Sequence, residues 1–317
     1  MGLAPAFYRE EKIMKDKPIV IAGNGPSLAQ IDYRRLPADF DVFRCNQFYF
    51  EDKYFLGRRV TGAFLNPSVA KNQYFTLRML HDRGEYDIQE KYCACLSATW
   101  EGEEDFPTVK NTFFFLQSMP QFHELQKFLW VYYKQSFTST INMLITALAM
   151  GYREIYLVGL DFYQRGGAEY AFDSNKKNLV KCLPSMGDAG FVNLTHSKDI
   201  DIMGLKLAQD MPDVKLYSLA EGSVLADYVS LAPIVNKNPT QIEDKPSDAL
   251  KDFADLPRSR TDFGPVRKFV EKHDLWPEYE KLKDNIYMHA LYDLIDLIKM
   301  TPLVLKKILF RPRRKKT

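Results

Sequence analysis

Ile19-Val-Ile-Ala-Gly-Asn-Gly-Pro-Ser-Leu28 is an apolar run that breaks on Gly23-Asn24-Gly25-Pro26, with a helix expected to start at Pro26-Ser27. Such a run reads as a buried parallel strand, and Gly-Asn-Gly as a turn that needs positive φ or a close approach of backbones. Proline near the first helical position leaves neighbouring N–H groups to point at an anion, with the helix dipole adding attraction. Two further apolar segments also end in asparagine, Val42-Phe-Arg-Cys-Asn46-Gln47-Phe48 and Ala63-Phe-Leu-Asn66-Pro67-Ser68. In a parallel α/β sheet three such strand ends present polar amides on one rim, where nucleotides bind.

Short apolar strand candidates recur at Pro18–Gly23, Phe40–Cys45, Val60–Leu65, Lys91–Leu96, Glu154–Leu160 and Val214–Ser218. Helical patterns fall at Leu28–Leu36, Val69–Arg83, Pro120–Tyr133, Ile141–Met150 and Asp199–Gln209, the fourth of them stopping at Gly151. Strand–helix alternation predicts an α/β fold, a Rossmann-like and mostly parallel sheet flanked by helices. Residues 1–16 are expected to be a disordered lead-in and 17–235 the catalytic domain. Within it, the Gly-, Asn- and Lys-rich stretch of about 162–196 has the length of a lid. The proline-punctuated residues 236–265 read as a linker, and 266–317 as a helical, basic region in which Pro302 is expected to break the last helix.

The 317 residues carry a formal net charge of +2. Eight of the 43 basic residues lie within residues 299–317, which contain no acid, so the rest of the chain is acidic. A globular nucleic-acid binder would carry its positive charge along the folded domain, so no nucleic-acid partner is expected. A basic tail after the apolar positions Leu291, Leu294, Ile295 and Ile298 fits attachment to an anionic membrane surface. The longest uncharged run there, Met300–Leu305, is too short to span a bilayer, which takes about 20 residues. No secretory leader is expected from the charged first residues. Cys45, Cys93, Cys95 and Cys182 form no paired framework. The alternation of Cys93 and Cys95 within a strand should turn their thiols to opposite faces. A cytoplasmic protein, peripheral on the inner membrane, is the expectation.

Ile21-Ala-Gly-Asn-Gly-Pro-Ser27, the run Phe40-Asp-Val-Phe-Arg-Cys-Asn-Gln-Phe-Tyr-Phe-Glu-Asp-Lys-Tyr54, Asn66-Pro67, Gly151-Tyr-Arg-Glu-Ile-Tyr-Leu157, Gly159-Leu-Asp-Phe-Tyr-Gln164, Tyr170-Ala-Phe-Asp173 and His196-Ser197-Lys198 occur in that order. In these motifs the chain resembles the bacterial sialyltransferases of glycosyltransferase family 42, the Campylobacter lipooligosaccharide enzymes in particular. The resemblance covers about residues 17–232. It implies a GT-A variant with a small lid subdomain, and inverting transfer of sialic acid from CMP-sialic acid to a sugar hydroxyl. It implies His196 as general base and Tyr163 and Tyr170 as donors to the departing phosphate. Asn24, Gly25, Ser27, Asn46, Gln47, Asn66, Ser139 and Thr140 are the implied donor-binding residues. The implied acceptor is a terminal galactose of lipooligosaccharide, linked α-2,3; the alternatives are an α-2,8 or bifunctional transferase, a related nonulosonic acid as donor sugar, or a non-catalytic nucleotide-binding module. A homo-oligomer is plausible by the same analogy.

The residue types suit that chemistry. An imidazole titrating near 6.5 can take a proton at neutral pH. Phenol donors stabilise a departing phosphate, and amides read a nucleoside with paired donors and acceptors. With a nucleoside monophosphate as leaving group no metal or other cofactor is expected. Asp199-x-Asp201 resembles a metal-binding acidic pair, but the preferred reading is a helix start, where aspartate favours the positive dipole end. Asp161 is open between orienting a catalytic group and capping backbone amides. One motif departs from the family: Ser136-Phe-Thr-Ser-Thr140 stands where the Campylobacter enzymes carry Arg-Ile-Thr-Ser-Gly. Lys134 is the nearest basic residue that could replace that arginine.

Overall fold

The computed structural model describes residues 14–67, 70–95, 108–162, 170–172, 196–237, 239, 242–246, 249, 294–295, 297–302 and 305. The chain divides into two compact units, 1–258 and 259–317. The first is built on an eight-stranded sheet: β1 (Ile19–Ala22), β2 (Asp41–Cys45), β3 (Arg59–Leu65), β4 (Asp87–Cys93), β5 (Val109–Asn111), β6 (Glu154–Val158), β7 (Lys215–Ser218) and β8 (Ser230–Leu231). Spatial order is β5-β4-β3-β2-β1-β6-β7-β8, and every pairing is parallel.

Both faces of this sheet are covered, which is why its strands read as continuous apolar runs. Side chains alternate along β1: Ile19 and Ile21 enter one core, Val20 and Ala22 the other. The first core is closed by α2 (Phe113–Gln117), α3 (Pro120–Tyr133), α4 (Ser139–Ala149) and α5 (Lys198–Gln209), through Leu116, Phe122, Leu144 and Leu205 among others. The second takes Leu28, Ile31 and Leu36 from the segment after β1. A third cluster, under α1 (Ala70–Asp82), joins Leu77 and Leu80 to Phe48, Tyr54 and Tyr86.

Four sequence expectations are corrected. The helix expected at Leu28–Leu36 is two short 3₁₀ turns, Pro26–Gln30 and Tyr33–Arg35. The Asp32 carboxylate accepts from the Arg34 amide and starts the second turn, so one continuous helix never forms. Strands β5 and β8 and helix α2 were not foreseen. With three, two and five residues they are too short to establish a period. Cys93 and Cys95 do not face opposite ways. Cys93 ends β4, and the Cys95 amide folds back to the Cys93 carbonyl at 2.8 Å, so alternation stops there. Both thiols are buried in the same third cluster. Finally, Thr301 and Pro302 are themselves helical, so the last helix does not end before the proline.

Within the stretch read as a linker, residues 242–246 dock on the segment between β2 and β3. The Tyr54 amide donates to the Glu243 carbonyl at 2.9 Å, and Lys245 Nζ donates to the Tyr49 carbonyl at 2.6 Å. In the second unit the described helical residues Leu294, Leu297, Ile298 and Met300 are more than half exposed.

Candidate active site

Strands β2 to β5 run to one side of β1 and β6 to β8 to the other. The connections therefore diverge at the carboxyl ends of β1 and β6, the crevice where open α/β sheets bind ligands. Here the two backbones touch. Gly23 N donates to the Val158 carbonyl at 2.9 Å, and Gly25 N to the Gly159 carbonyl at 3.0 Å. A Cβ on Gly23 would stand 2.2 Å from the Gly159 carbonyl oxygen, and one on Gly25 2.2 Å from Asp161 Oδ2. Gly-Asn-Gly is thus fixed by close approach of backbone and carboxylate rather than by its own φ angles.

The 3₁₀ turn that starts at Pro26 has its amino end occupied by the chain itself. Asp161 Oδ2 accepts from Ser27 N at 3.1 Å and from Ser27 Oγ at 2.9 Å, and the Gly159 amide donates to Ser27 Oγ at 3.0 Å. The expectation that this N-terminus faces a ligand anion is corrected: the Asp161 carboxylate is the anion there. Ser27 is buried and ties β1 to β6, and Asp161 is the cap that the sequence left open.

The amides fall on neighbouring strand ends. Asn24 follows β1, Asn46 and Gln47 follow β2, and Asn66 follows β3. Asn24 Nδ2 donates to the Cys45 carbonyl at 3.0 Å. Asn46 Nδ2 stands 3.5 Å from the Ser139 hydroxyl at the start of α4. Thr140, the next residue, brings its Oγ1 to 3.0 Å from the Cβ position of Gly23. Asn66 N donates to Gln73 Oε1 at 2.9 Å. Asn46 holds φ +52°, a left-handed conformation that asparagine tolerates better than most residues. Asn24 Oδ1, Asn46 Oδ1 and Gln47 Oε1 are buried and have no hydrogen-bond partner among the described residues. Buried amide oxygens left unpaired cost stability, so three together on one rim point to a ligand that donates to them.

His196 stands against the loop that leads into α4. Its Nδ1 lies 2.9 Å from the Ser136 carbonyl. A carbonyl only accepts, so Nδ1 carries the proton and the lone pair lies on Nε2. Burial holds the imidazole below its usual pKa, opposed by that hydrogen bond. Ser136 therefore orients the histidine through its backbone, where the family motif has arginine. Lys134 ends α3 in a left-handed conformation at φ +53°. Ala171 N donates to the Asn24 carbonyl at 2.9 Å, which brings the short stretch holding Tyr170 to the rim. The Tyr170 ring stacks on Phe172 at 5.4 Å. Tyr163 and the expected lid lie outside the described residues, apart from 162, 170–172 and 196.

Ser197 caps α5 by accepting from the Ile200 amide at 3.4 Å, with Asp199 and Asp201 in the first turn. Asp199 is exposed and Asp201 buried, so the two carboxylates do not converge. Asp201 Oδ1 accepts from Thr138 N at 3.1 Å and so fixes the loop between His196 and Ser139. Burial pushes its carboxyl up to about 7, against the hydrogen bonds from Thr138. No group of three or more His, Cys, Asp or Glu side chains among the described residues could hold a metal ion. Sequence reasoning gave Asp201 no partner, because Thr138 is 63 residues away. It also passed over Arg44 and Glu51, which form a fully buried ion pair at 2.8 Å. Their signal was a charged residue inside a strand, between the apolar Phe43 and Cys45, with an opposite charge seven positions on.

The model of the alpha-2,3-sialyltransferase (CST-I) family matches residues 17–307. Among solved structures, the chain is similar to the sialyltransferase CstII from Campylobacter jejuni in complex with the substrate analogue CMP-3FNeuAc. They share 40% identity over 80% of this chain and 99% of that one, with a TM-score of 0.69. The monofunctional alpha-2,3-sialyltransferase Cst-I from Campylobacter jejuni shares 34% identity over 84% of this chain and 96% of its own, with a TM-score of 0.71. CST-II in complex with a trisaccharide acceptor and CMP shares 39% identity over 80% and 99%, with a TM-score of 0.65. A parallel sheet with its amide-lined crevice at the β1–β6 divergence and a family match over most of the chain lead to one conclusion: the protein belongs to the CST-I sialyltransferase family.

Proposed function

We propose that the chain transfers sialic acid from CMP-sialic acid to a terminal galactose of a lipooligosaccharide, with inversion and an α-2,3 link. The observation that carries this reading is the row of unpaired buried amide oxygens of Asn24, Asn46 and Gln47 beside the Ser139 hydroxyl. Hydroxyl and amino groups of a cytidine are the donors such a row lacks. The similar CstII structure that holds CMP-3FNeuAc supports the same donor.

In the proposed step, neutral His196 Nε2 takes the acceptor hydroxyl's proton as its oxygen attacks the anomeric carbon. The bond from that carbon to the phosphate oxygen breaks on the opposite side, and its electron pair leaves with CMP. Tyr163 and Tyr170 donate to the phosphate as charge develops there. No metal is assigned a part, because Asp201 is committed to the Thr138 amide and Asp199 faces away from it. Residues of about 162–196 act as the lid of a GT-A variant. The tail, with exposed Leu294, Leu297, Ile298 and Met300 before the basic cluster, holds the enzyme to an anionic cytoplasmic membrane face. Among the described residues no helix is long and apolar enough to cross a membrane.

An α-2,8 or bifunctional enzyme is the second reading, because Ser136 in place of the family arginine leaves acceptor recognition open. One assay tests both: CMP release from CMP-sialic acid with lactoside and with sialyl-lactoside acceptors, followed by linkage analysis. Turnover on lactosides with an α-2,3 product supports the first reading. Turnover confined to sialyl-lactosides moves it to the second, and CMP release with neither acceptor contradicts transferase activity on these glycans.

A further inference from the structure

Arg44, on β2, and Glu51, just past the 3₁₀ turn Phe48–Phe50, bracket the two donor-binding amides Asn46 and Gln47. Arg44 Nη2 donates to Glu51 Oε2 at 2.8 Å, and both side chains are completely buried. Tyr86 Oη donates to the other carboxylate oxygen at 2.8 Å. The guanidinium lies 5.0 Å over the Phe48 ring, and the same ring packs edge-on against Tyr86 at 5.2 Å. Nε and Nη1 of Arg44 have no hydrogen-bond partner among the described residues. A pair buried on these terms is weak evidence for stability, since apolar residues of similar volume often do as well. Its use lies in what it specifies.

What it spans is the segment that places the amides. Asn46 sits in the left-handed region at φ +52°, a conformation that persists only where its surroundings over-determine it. Three consecutive buried aromatic residues, Phe48, Tyr49 and Phe50, follow it. Apolar contacts are non-directional, so these rings alone do not select one backbone path for the turn. An ion pair from one end of the turn to the other does, because it closes only when both ends are in place.

We infer that Arg44 and Glu51, held by Tyr86, are positioning residues that lock Asn46 and Gln47 in the geometry that receives the cytidine of the donor. The inference rests on the reading that these amides hold the CMP moiety. The test is calorimetric CMP binding by the full chain, with donor and acceptor KM and Tm, for wild type, Asn46→Ala, Tyr86→Phe and the double variant Arg44→Met/Glu51→Leu. The double variant should keep its Tm within a few degrees, bind CMP at least about tenfold more weakly and raise donor KM without changing acceptor KM. Tyr86→Phe should weaken CMP binding about two- to fivefold and lower Tm by several degrees while the protein stays folded, and it decides the matter if the double variant does not fold. A folded double variant, or a Tyr86→Phe variant, that binds CMP as tightly as wild type overturns the inference. If Asn46→Ala binds CMP like wild type, the donor reading itself fails and the inference falls with it.

Discussion

At the residue scale, the chemistry depends on the protonation of His196. Its bond to the Ser136 carbonyl fixes the tautomer, and burial moves its pKa below the ordinary 6.5. The neutral, proton-accepting form therefore survives as pH falls through 6.5, and the acid limb of kcat/KM should have its midpoint below that value. A pH–rate profile with an acid limb centred above 6.5 would contradict this placement. Asp201 shifts the other way, up to about 7 from 3.8. The folded state holds this proton more tightly than the unfolded chain does. Its stabilising contribution is thus full below 3.8 and is lost as pH rises through about 7. Asparagine keeps an acceptor for the Thr138 amide and has no charge to bury. Asp201→Asn should gain on wild type between about pH 4 and pH 7, by on the order of a few kcal/mol at the upper end, as thermal melts across that range would read. The residues legible in the sequence were those with a motif around them: Asn24, Asn46, Asn66 and His196. Asp161 and Asp201 act through partners 134 and 63 residues away, and only folding shows such pairings.

At the scale of elements, the β1–β6 junction is built from the motif with the strongest sequence signal, with one part filled by a residue from outside that motif. The strand, the Gly-Asn-Gly turn and the helical start at Pro26 are all present. The anion at that start is Asp161, because the carboxylate at the end of β6 reaches Ser27 through the space that a side chain at position 25 would fill. Asp161→Ala removes the acceptor of the buried Ser27 amide and hydroxyl. It should cost about 1–3 kcal/mol, measured by denaturant unfolding. A change within a few tenths of a kcal/mol would mean that this cap is dispensable. Periodicity predicts α3 to the residue and α1, α4 and α5 to within one or two residues of their ends, whereas for Leu28–Leu36 it predicts a helix that does not form. Its apolar spacing is real, since Leu28, Ile31 and Leu36 all reach the core. Periodicity reports which side chains are buried, and it does not distinguish one helix from two short turns joined at Asp32.

At the scale of the whole molecule, the mostly parallel sheet followed from the alternation of strand and helix patterns, whereas the divergence at β1 is seen only in the folded strand order. The charge asymmetry of the chain bears on where it works. Removing residues 286–317 takes away the exposed apolar helix positions and all eight basic residues of 299–317. Basic residues near an anionic surface contribute about 1 kcal/mol each, and that attraction weakens with salt. The truncated protein should lose flotation with anionic vesicles and keep turnover on soluble lactosides. Continued flotation would exclude the tail as the anchor. The central claim is that His196 is the base of a CMP-sialic-acid transferase whose donor site stands independently on the rim of β1 to β3. It is tested most directly by measuring, on the same His196→Ala preparation, CMP affinity and sialyl transfer to a lactoside at saturating donor. The account predicts CMP binding close to wild type, with transfer lowered about 10²–10⁴-fold; transfer within about threefold of wild type would remove His196 from the mechanism.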